Sequence, residues 1–261
     1  MDYDLSEKQK ILRDEARKLF LERCDSAFIR KMVKDDKGYT QEMWQEMAKR
    51  GWMGLLIPKK YGGCFESFMD MIVILHEMGY CCFSGPFFST AVLGVITLLE
   101  MGDDSQKKNI LPKTAKGNCL LTLALSEPNN GCSAEEISLR AARRDDYYIL
   151  NGVKLFVPDA HVADFIFCVT RTEETQKEEG SGISLFIVDR KAPGMSLHPM
   201  QTSTGEKLFG AKFGQLRVPK ENLLGALNQG WPPLKRVFCH PRLRMDPPCR
   251  YRWTHPEGAC F

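Results

Sequence analysis

Through the first hundred or so positions, apolar residues return every three or four places. Ser6-Glu7-Lys8-Gln9 has the form of a capping box, in which the Ser and Gln side chains satisfy each other's free backbone donors. Behind it Ile11, Leu12, Ala16, Leu19 and Phe20 fall on one face of a helix. A second helix is expected from Thr40, burying Met43, Trp44 and Met47 and closing at Gly51. Ser67 and Asp70 open a third, with Phe68, Met71, Ile72, Leu75 and Met78 as its stripe and Gly79 as its stop. Ser89 to Leu99 is apolar nearly all round, the pattern of a helix buried on most sides. Pro58, Tyr61, Gly62 and Gly63 punctuate the gap between the second and third helices. Stripes of this kind are core packing, and His76 beside one of them reads as a core or boundary histidine rather than a ligand.

After Gly117 the period shortens. Cys119–Leu125, Tyr147–Leu150, Phe165–Thr170, Ile183–Val188 and Lys212–Val218 are short, rich in β-branched or aromatic residues and bounded by turn formers. Asp145-Asp146 makes a turn before Tyr147, Asn151-Gly152 is a hairpin signal, and Glu173–Ser181 reads as a solvated loop. The fold class is therefore α+β: an all-α N-terminal domain over residues 1–116, then a small antiparallel β-barrel or sandwich over 117–226. A third region, 227–261, changes character from Phe238 onward. Its sequence FCHPRLRMDPPCRYRWTHPEGACF holds four Pro, three Cys and four Arg with no Lys, Ile or Val. The prolines forbid a long helix, and a disordered tail from a shifted or prematurely ended reading frame is expected. Cys239, His240, Cys249, His255 and Cys260 match no standard zinc spacing, so no metal is expected.

Charge and cysteine usage narrow the class. The 261 residues carry 36 basic and 33 acidic side chains, spread along the chain for a net +3, which argues against a nucleic-acid partner. MDYDLSEKQK is too polar for a secretory signal, and the apolar stretch Ala91–Leu99 is too short to span a bilayer, so no transmembrane segment is expected. Ten scattered cysteines without a CxxC pair suit free thiols in the cytoplasm.

The candidate chemistry lies between Leu121 and Ala163. A strand running into Ser126-Glu127-Pro128 with Gly131 offers a hydroxyl, backbone amides and a tight turn, donors suited to a flat heteroaromatic edge or a phosphate. Phe156 beside a second turn can cover the face of such a ligand. Taken bare, a structural β-turn explains the same residues equally well.

Four motifs in order then resemble the acyl-CoA dehydrogenase family of flavoproteins over roughly residues 5 to 237. They are Ile57-Pro58-Lys59-Lys60-Tyr61-Gly62-Gly63 with His76-Glu77-Met78-Gly79; Ala124-Leu125-Ser126-Glu127-Pro128 with Gly131; Leu150-Asn151-Gly152-Val153-Lys154; and Val218-Pro219-Lys220-Glu221-Asn222-Leu223-Leu224-Gly225 with Gly230. The resemblance implies FAD as cofactor, with Leu123, Leu125, Ser126, Gly131, Phe156, Val157 and Pro158 along the isoalloxazine. It puts Cys132 and Ser133 toward the acyl-CoA substrate. Many members have Trp, a small or aliphatic residue and Thr where this chain has Phe156-Val157-Pro158, and Ser-Asp where it has Cys132-Ser133. Pro158 has no hydroxyl and no N–H, so it could meet a flavin only through apolar atoms or its carbonyl. Phe-Val-Pro-Asp-Ala is similar to a divergent branch of the family.

The implied reaction is α,β-desaturation of an acyl-CoA thioester, with a carboxylate taking the α-proton and electrons leaving through an electron-transferring flavoprotein. The family's C-terminal four-helix bundle, expected to be absent here, usually supplies that carboxylate and builds a homo- or hetero-oligomer. No catalytic residue is therefore nominated, and Glu127 is assigned to the turn. Two other expectations stand beside this one: a non-catalytic flavin- or acyl-CoA-binding subunit of a heteromeric dehydrogenase, and an inactive truncated product.

Overall fold

The computed structural model describes residues 4–128, 133–174 and 180–238. Helices fill the chain as far as Ala115, and strands begin at Leu121. Helix α1 (Glu7–Arg23) starts on the expected capping box: Gln9 N–H donates to Ser6 Oγ over 3.3 Å, and Ser6 N–H donates to Gln9 Oε1 over 3.0 Å. Ala16, Leu19 and Phe20 are buried, whereas Ile11 is exposed. After α2 (Ser26–Lys34), α3 (Gln41–Lys49) opens on Thr40 and buries Met43, Trp44 and Met47. Gly51 follows at φ 77°, the left-handed turn that leads the chain out of the helix.

Helix α4 (Phe68–Tyr80) differs from its expected stripe. Val73 and Ile74 are buried while Ile72 is exposed, and Gly79 lies inside the helix rather than ending it. The inward face is wider than one apolar line because it also takes in a charge. Glu77 is fully buried and accepts two hydrogen bonds from Arg17 of α1, at 2.8 and 2.9 Å. Its neighbour His76 is exposed, its ring 3.2 Å from Glu77.

The apolar stretch near residue 90 is a π-helix, Phe88–Gly94, which runs into α5 (Val95–Met101). The wider turn brings Thr90 and Gly94 onto one line against the first strand. Thr90 Oγ1 donates to Leu121 O and accepts from Leu121 N–H, at 3.2 and 3.1 Å. Helix α6 (Asp104–Ala115) has its own Asp103–Gln106 capping box but hides Pro112 in its last turn, which masks its period in the sequence.

The strands are β1 (Leu121–Ala124), β2 (Arg140–Arg144), β3 (Tyr147–Pro158), β4 (Phe165–Arg171), β5 (Ile183–Asp189), β6 (Met195–Met200), β7 (Leu208–Pro219) and β8 (Leu223–Leu224). They form one sheet in the order β6-β7-β3-β2-β4-β5-β8, with β1 beside β4. The sheet is mixed rather than wholly antiparallel, since β1 and β2 both meet β4 in parallel. Its end strands β6 and β8 do not pair, so the barrel is not closed. Asp145-Asp146 turns between β2 and β3 as expected, but Asn151-Gly152 makes no hairpin. It sits inside β3 as a bulge against β7, with Asn151 Oδ1 accepting from Gln215 N–H over 2.7 Å.

Alternation along β4 and β5 divides two cores. Phe167, Val169, Leu185 and Ile187 face the helices, and Ile166, Cys168, Phe186 and Val188 face the interior of the curled sheet. The last described element, α7 (Trp231–Phe238), adds Trp231, Leu234 and Val237 to the helical side. Among the described residues, no helix is long and apolar enough to cross a membrane.

Candidate functional site

Strand β1 ends at Ala124, and the next three residues are tied to β3 one after another. Lys154 Nζ donates to Leu125 O over 2.8 Å, Leu155 N–H donates to Ser126 O over 2.8 Å, and Lys154 pairs with Glu127 Oε1 at 2.6 Å. One turn back, Thr122 Oγ1 donates to Pro158 O over 2.6 Å. The segment after β1 and the end of β3 therefore lie side by side.

The Lys154–Glu127 pair is the anchor. Neither side chain is more than 3% exposed. Glu127 also accepts from Ser138 N–H at 2.9 Å, from the Ser138 hydroxyl, and from Leu139 N–H at 3.1 Å. Burial pushes the Glu127 carboxyl up, but the Lys154 charge and these donors outweigh it and hold the carboxyl below its ordinary range. Burial likewise draws the Lys154 ammonium down, against the Cys168 and Glu127 sides. Losing one partner would strand the other charge, at a cost of about 3–5 kcal/mol. Glu127 thus holds the turn, as expected of it, and is committed to that task.

The other expected site residues separate into groups. Leu123 and Val157 are buried core residues, on the helical and inner sides of the sheet respectively. Leu125 and Ser126 are half-buried, and among the described residues nothing hydrogen-bonds the Ser126 hydroxyl. Phe156 is 51% exposed and sits at φ 54°, where the ladder between β3 and β7 slips. A non-glycine residue held there is strained by about 1–2 kcal/mol. Ser133 is exposed and caps the turn Ala134–Glu136 through its N–H to Glu136 Oε2 at 3.0 Å. Gly131 and Cys132 lie outside the described residues.

Pro158 is half-buried and opens onto a cleft of about 570 Å³ between the helices and the sheet, whose wall includes Met78, Phe83, Phe88, Leu93 and Leu208. Its volume falls within the range of small-molecule sites. Asp159 and Ser89, neither named as a site residue from the sequence, are part of the same wall, with Ser89 Oγ 2.7 Å from Asp159 Oδ2. Asp159 sits at φ 53°; its N–H donates to Lys207 O, and its carbonyl accepts from Val162 and Ala163 N–H. Burial pushes its carboxyl up to about 6, with the Ser89 bond opposing and the charge of Glu206 adding. The only sequence signal here was the polar residue directly after Phe156-Val157-Pro158.

A Ser126 hydroxyl without a partner among the described residues, an exposed Phe156 ring and a tied backbone between them are groups that suit a flat ring system. Residues 6–118 match the family model described as acyl-CoA dehydrogenase, N-terminal domain, and residues 122–218 match acyl-CoA dehydrogenase, middle domain. The chain belongs to the acyl-CoA dehydrogenase family. The acyl-CoA dehydrogenase FadE26 of Mycobacterium tuberculosis is 30% identical over 210 residues, which is 80% of this chain and 52% of that protein. Cyclohex-1-ene-1-carbonyl-CoA dehydrogenase of Geobacter metallireducens is 32% identical over 251 residues, 90% of this chain and 64% of that one. Among solved structures, the ChsE4-ChsE5 complex from Mycobacterium tuberculosis superposes with a TM-score of 0.78 at 29% identity, covering 92% of this chain and 61% of that chain. The chain thus spans between about half and two thirds of the length of these relatives.

Proposed function

We propose that this chain supplies the N-terminal and middle parts of a FAD-dependent acyl-CoA dehydrogenase, residues 1–116 as the helical part and 117–226 as the flavin-bearing β part. The observation that carries the reading is the fastening of Leu125-Ser126-Glu127 to the end of β3 through Lys154 and Leu155. It fixes the backbone of Ser126 beside Leu155, next to Phe156. Ser126 would donate its hydroxyl to the polar edge of FAD, Phe156 and Pro158 would cover the ring with apolar atoms, and Ser133 would approach the acyl-CoA. The buried ion pair keeps this backbone fixed while ligands come and go. Bound FAD would accept the β-hydrogen of the acyl thioester as a hydride and pass electrons to an electron-transferring flavoprotein. The α-proton would go to a carboxylate, which the family usually places C-terminal to the regions matched here.

A second reading has its own support. The similarity to a solved two-component complex favours a non-catalytic subunit that binds flavin or acyl-CoA within a heteromeric dehydrogenase. The purified chain distinguishes them. A yellow preparation with a flavin spectrum, bleached anaerobically by octanoyl-CoA, is the expected result for the enzyme, and Ser126→Ala is expected to weaken FAD binding. Flavin binding without bleaching favours the subunit. A chain that takes up neither flavin nor acyl-CoA overturns both.

A further inference from the structure

Two polar groups from different halves of the fold meet in the largely apolar wall of the 570 Å³ cleft: Ser89 of the π-helix and Asp159 just past β3. Ser89 is 1% exposed. Its single hydroxyl proton has two acceptors, Asp159 Oδ2 at 2.7 Å and Pro86 O at 3.1 Å. The hydroxyl can share its proton between the two, or a protonated Asp159 can donate a hydrogen bond to Ser89 Oγ and leave Ser89 to donate to Pro86 O. A carboxyl pushed up to about 6 by burial is consistent with that chain.

In either protonation state Asp159 Oδ1 remains an acceptor, and among the described residues no group donates to it. Lysine 207 lines the same cleft, but its ammonium is held by Val33 O at 2.9 Å. A hydrocarbon chain filling the cleft would cover that acceptor without replacing the hydrogen bond it makes to water. A ligand that brings a hydroxyl would replace it.

We propose that Asp159, held by Ser89, recognises a hydroxyl group on the acyl part of the substrate, so that the preferred thioesters are hydroxylated acyl-CoAs rather than plain saturated ones. This rests on the acyl-CoA dehydrogenase reading. The test is calorimetric binding of the full chain, supplied with FAD, to octanoyl-CoA and to octanoyl-CoA bearing a hydroxyl at carbon 4, 6 or 8. At least one hydroxylated thioester is expected to bind tenfold or more tightly than octanoyl-CoA. Asp159→Leu is expected to abolish that preference while keeping octanoyl-CoA binding, and Asp159→Asn, which retains an acceptor, to preserve it. Should Asp159→Leu fail to fold, Asp159→Ala, which has no side-chain acceptor, takes its place. Equal binding of all four thioesters, or a preference that survives in Asp159→Leu, overturns the inference and leaves the family reading standing. No binding of any thioester overturns both.

Discussion

A carboxyl buried without a cation beside it sheds its charge by holding a proton, and a carboxyl buried beside one does not. Asp159 and Glu127 are the two cases within one short stretch of chain. For Asp159 the folded value of about 6 lies above the ordinary 3.8, so the folded chain binds this proton more tightly than the unfolded chain. Its contribution to stability is complete below the ordinary value and is lost as pH rises through the folded one. Asp159→Asn cannot titrate and can reproduce the hydrogen bond of the protonated acid to Ser89. Urea midpoints from pH 4 to pH 8 should therefore show the variant gaining on the parent chain, by up to about 3 kcal/mol once the carboxyl is ionised. A difference independent of pH would remove the buried-proton account of this residue. The sequence motif assigned Glu127 to the turn but could not show the charge state of either acid, because what separates them is Lys154 beside one and Ser89 beside the other. Both partners are distant in sequence.

At the scale of elements, Asn151-Gly152 shows how a local signal is overruled. The dipeptide favours a two-residue hairpin, but the hydrophobic alternation on either side continues as one strand from Tyr147 to Pro158, paired to β7. The extra residue is absorbed as a bulge, and Gly152 takes φ 147°. A Cβ at that position would lie 2.8 Å from Leu139 Cγ. Gly152→Ala is expected to cost roughly 1–3 kcal/mol in thermal or urea unfolding, from strain and overpacking together. Gly214→Ala in β7 is the control, since its Cβ would meet nothing nearer than 3.8 Å. A control as damaging as Gly152→Ala would show that any added methyl in this ladder is costly and that the bulge is not special.

For the molecule as a whole, the helices and the sheet are joined by close backbone approach as well as by side chains. Gly94 of the π-helix lies so near β1 that a Cβ would come within 2.3 Å of Leu121 Cβ. Gln106 of α6 donates to Glu221 O and Leu223 O at 3.0 and 2.9 Å, and Trp44 Nε1 donates to Gly117 O at 2.8 Å. With contacts of this kind, helical and β parts should unfold together. Gly94→Ala must part the π-helix from β1, and we expect a loss of at least about 1–3 kcal/mol. Tryptophan fluorescence and far-ultraviolet circular dichroism should move to the lower midpoint in step. A fluorescence transition displaced alone would mean that the two parts do not share one cooperative unit.

Residue types and their spacing were enough to determine the helix starts at Ser6, Thr40 and Ser67, the change of period after Gly117, the turn at Asp145-Asp146 and the family. All of these are written locally, in caps, periodicity and short ordered motifs. The same order of residues left α2, α6, β2 and β6 unread. Few residues of α2 are buried, α6 conceals a proline, and β2 and β6 are largely exposed, so their apolar alternation is faint. Mixed rather than antiparallel pairing of the sheet, the Lys154–Glu127 anchor, the strained turn at Phe156 and the meeting of Ser89 with Asp159 belong to the tertiary structure alone. Each depends on groups brought together from separate parts of the chain, and their charge state and strain follow from burial, which one-dimensional spacing does not encode.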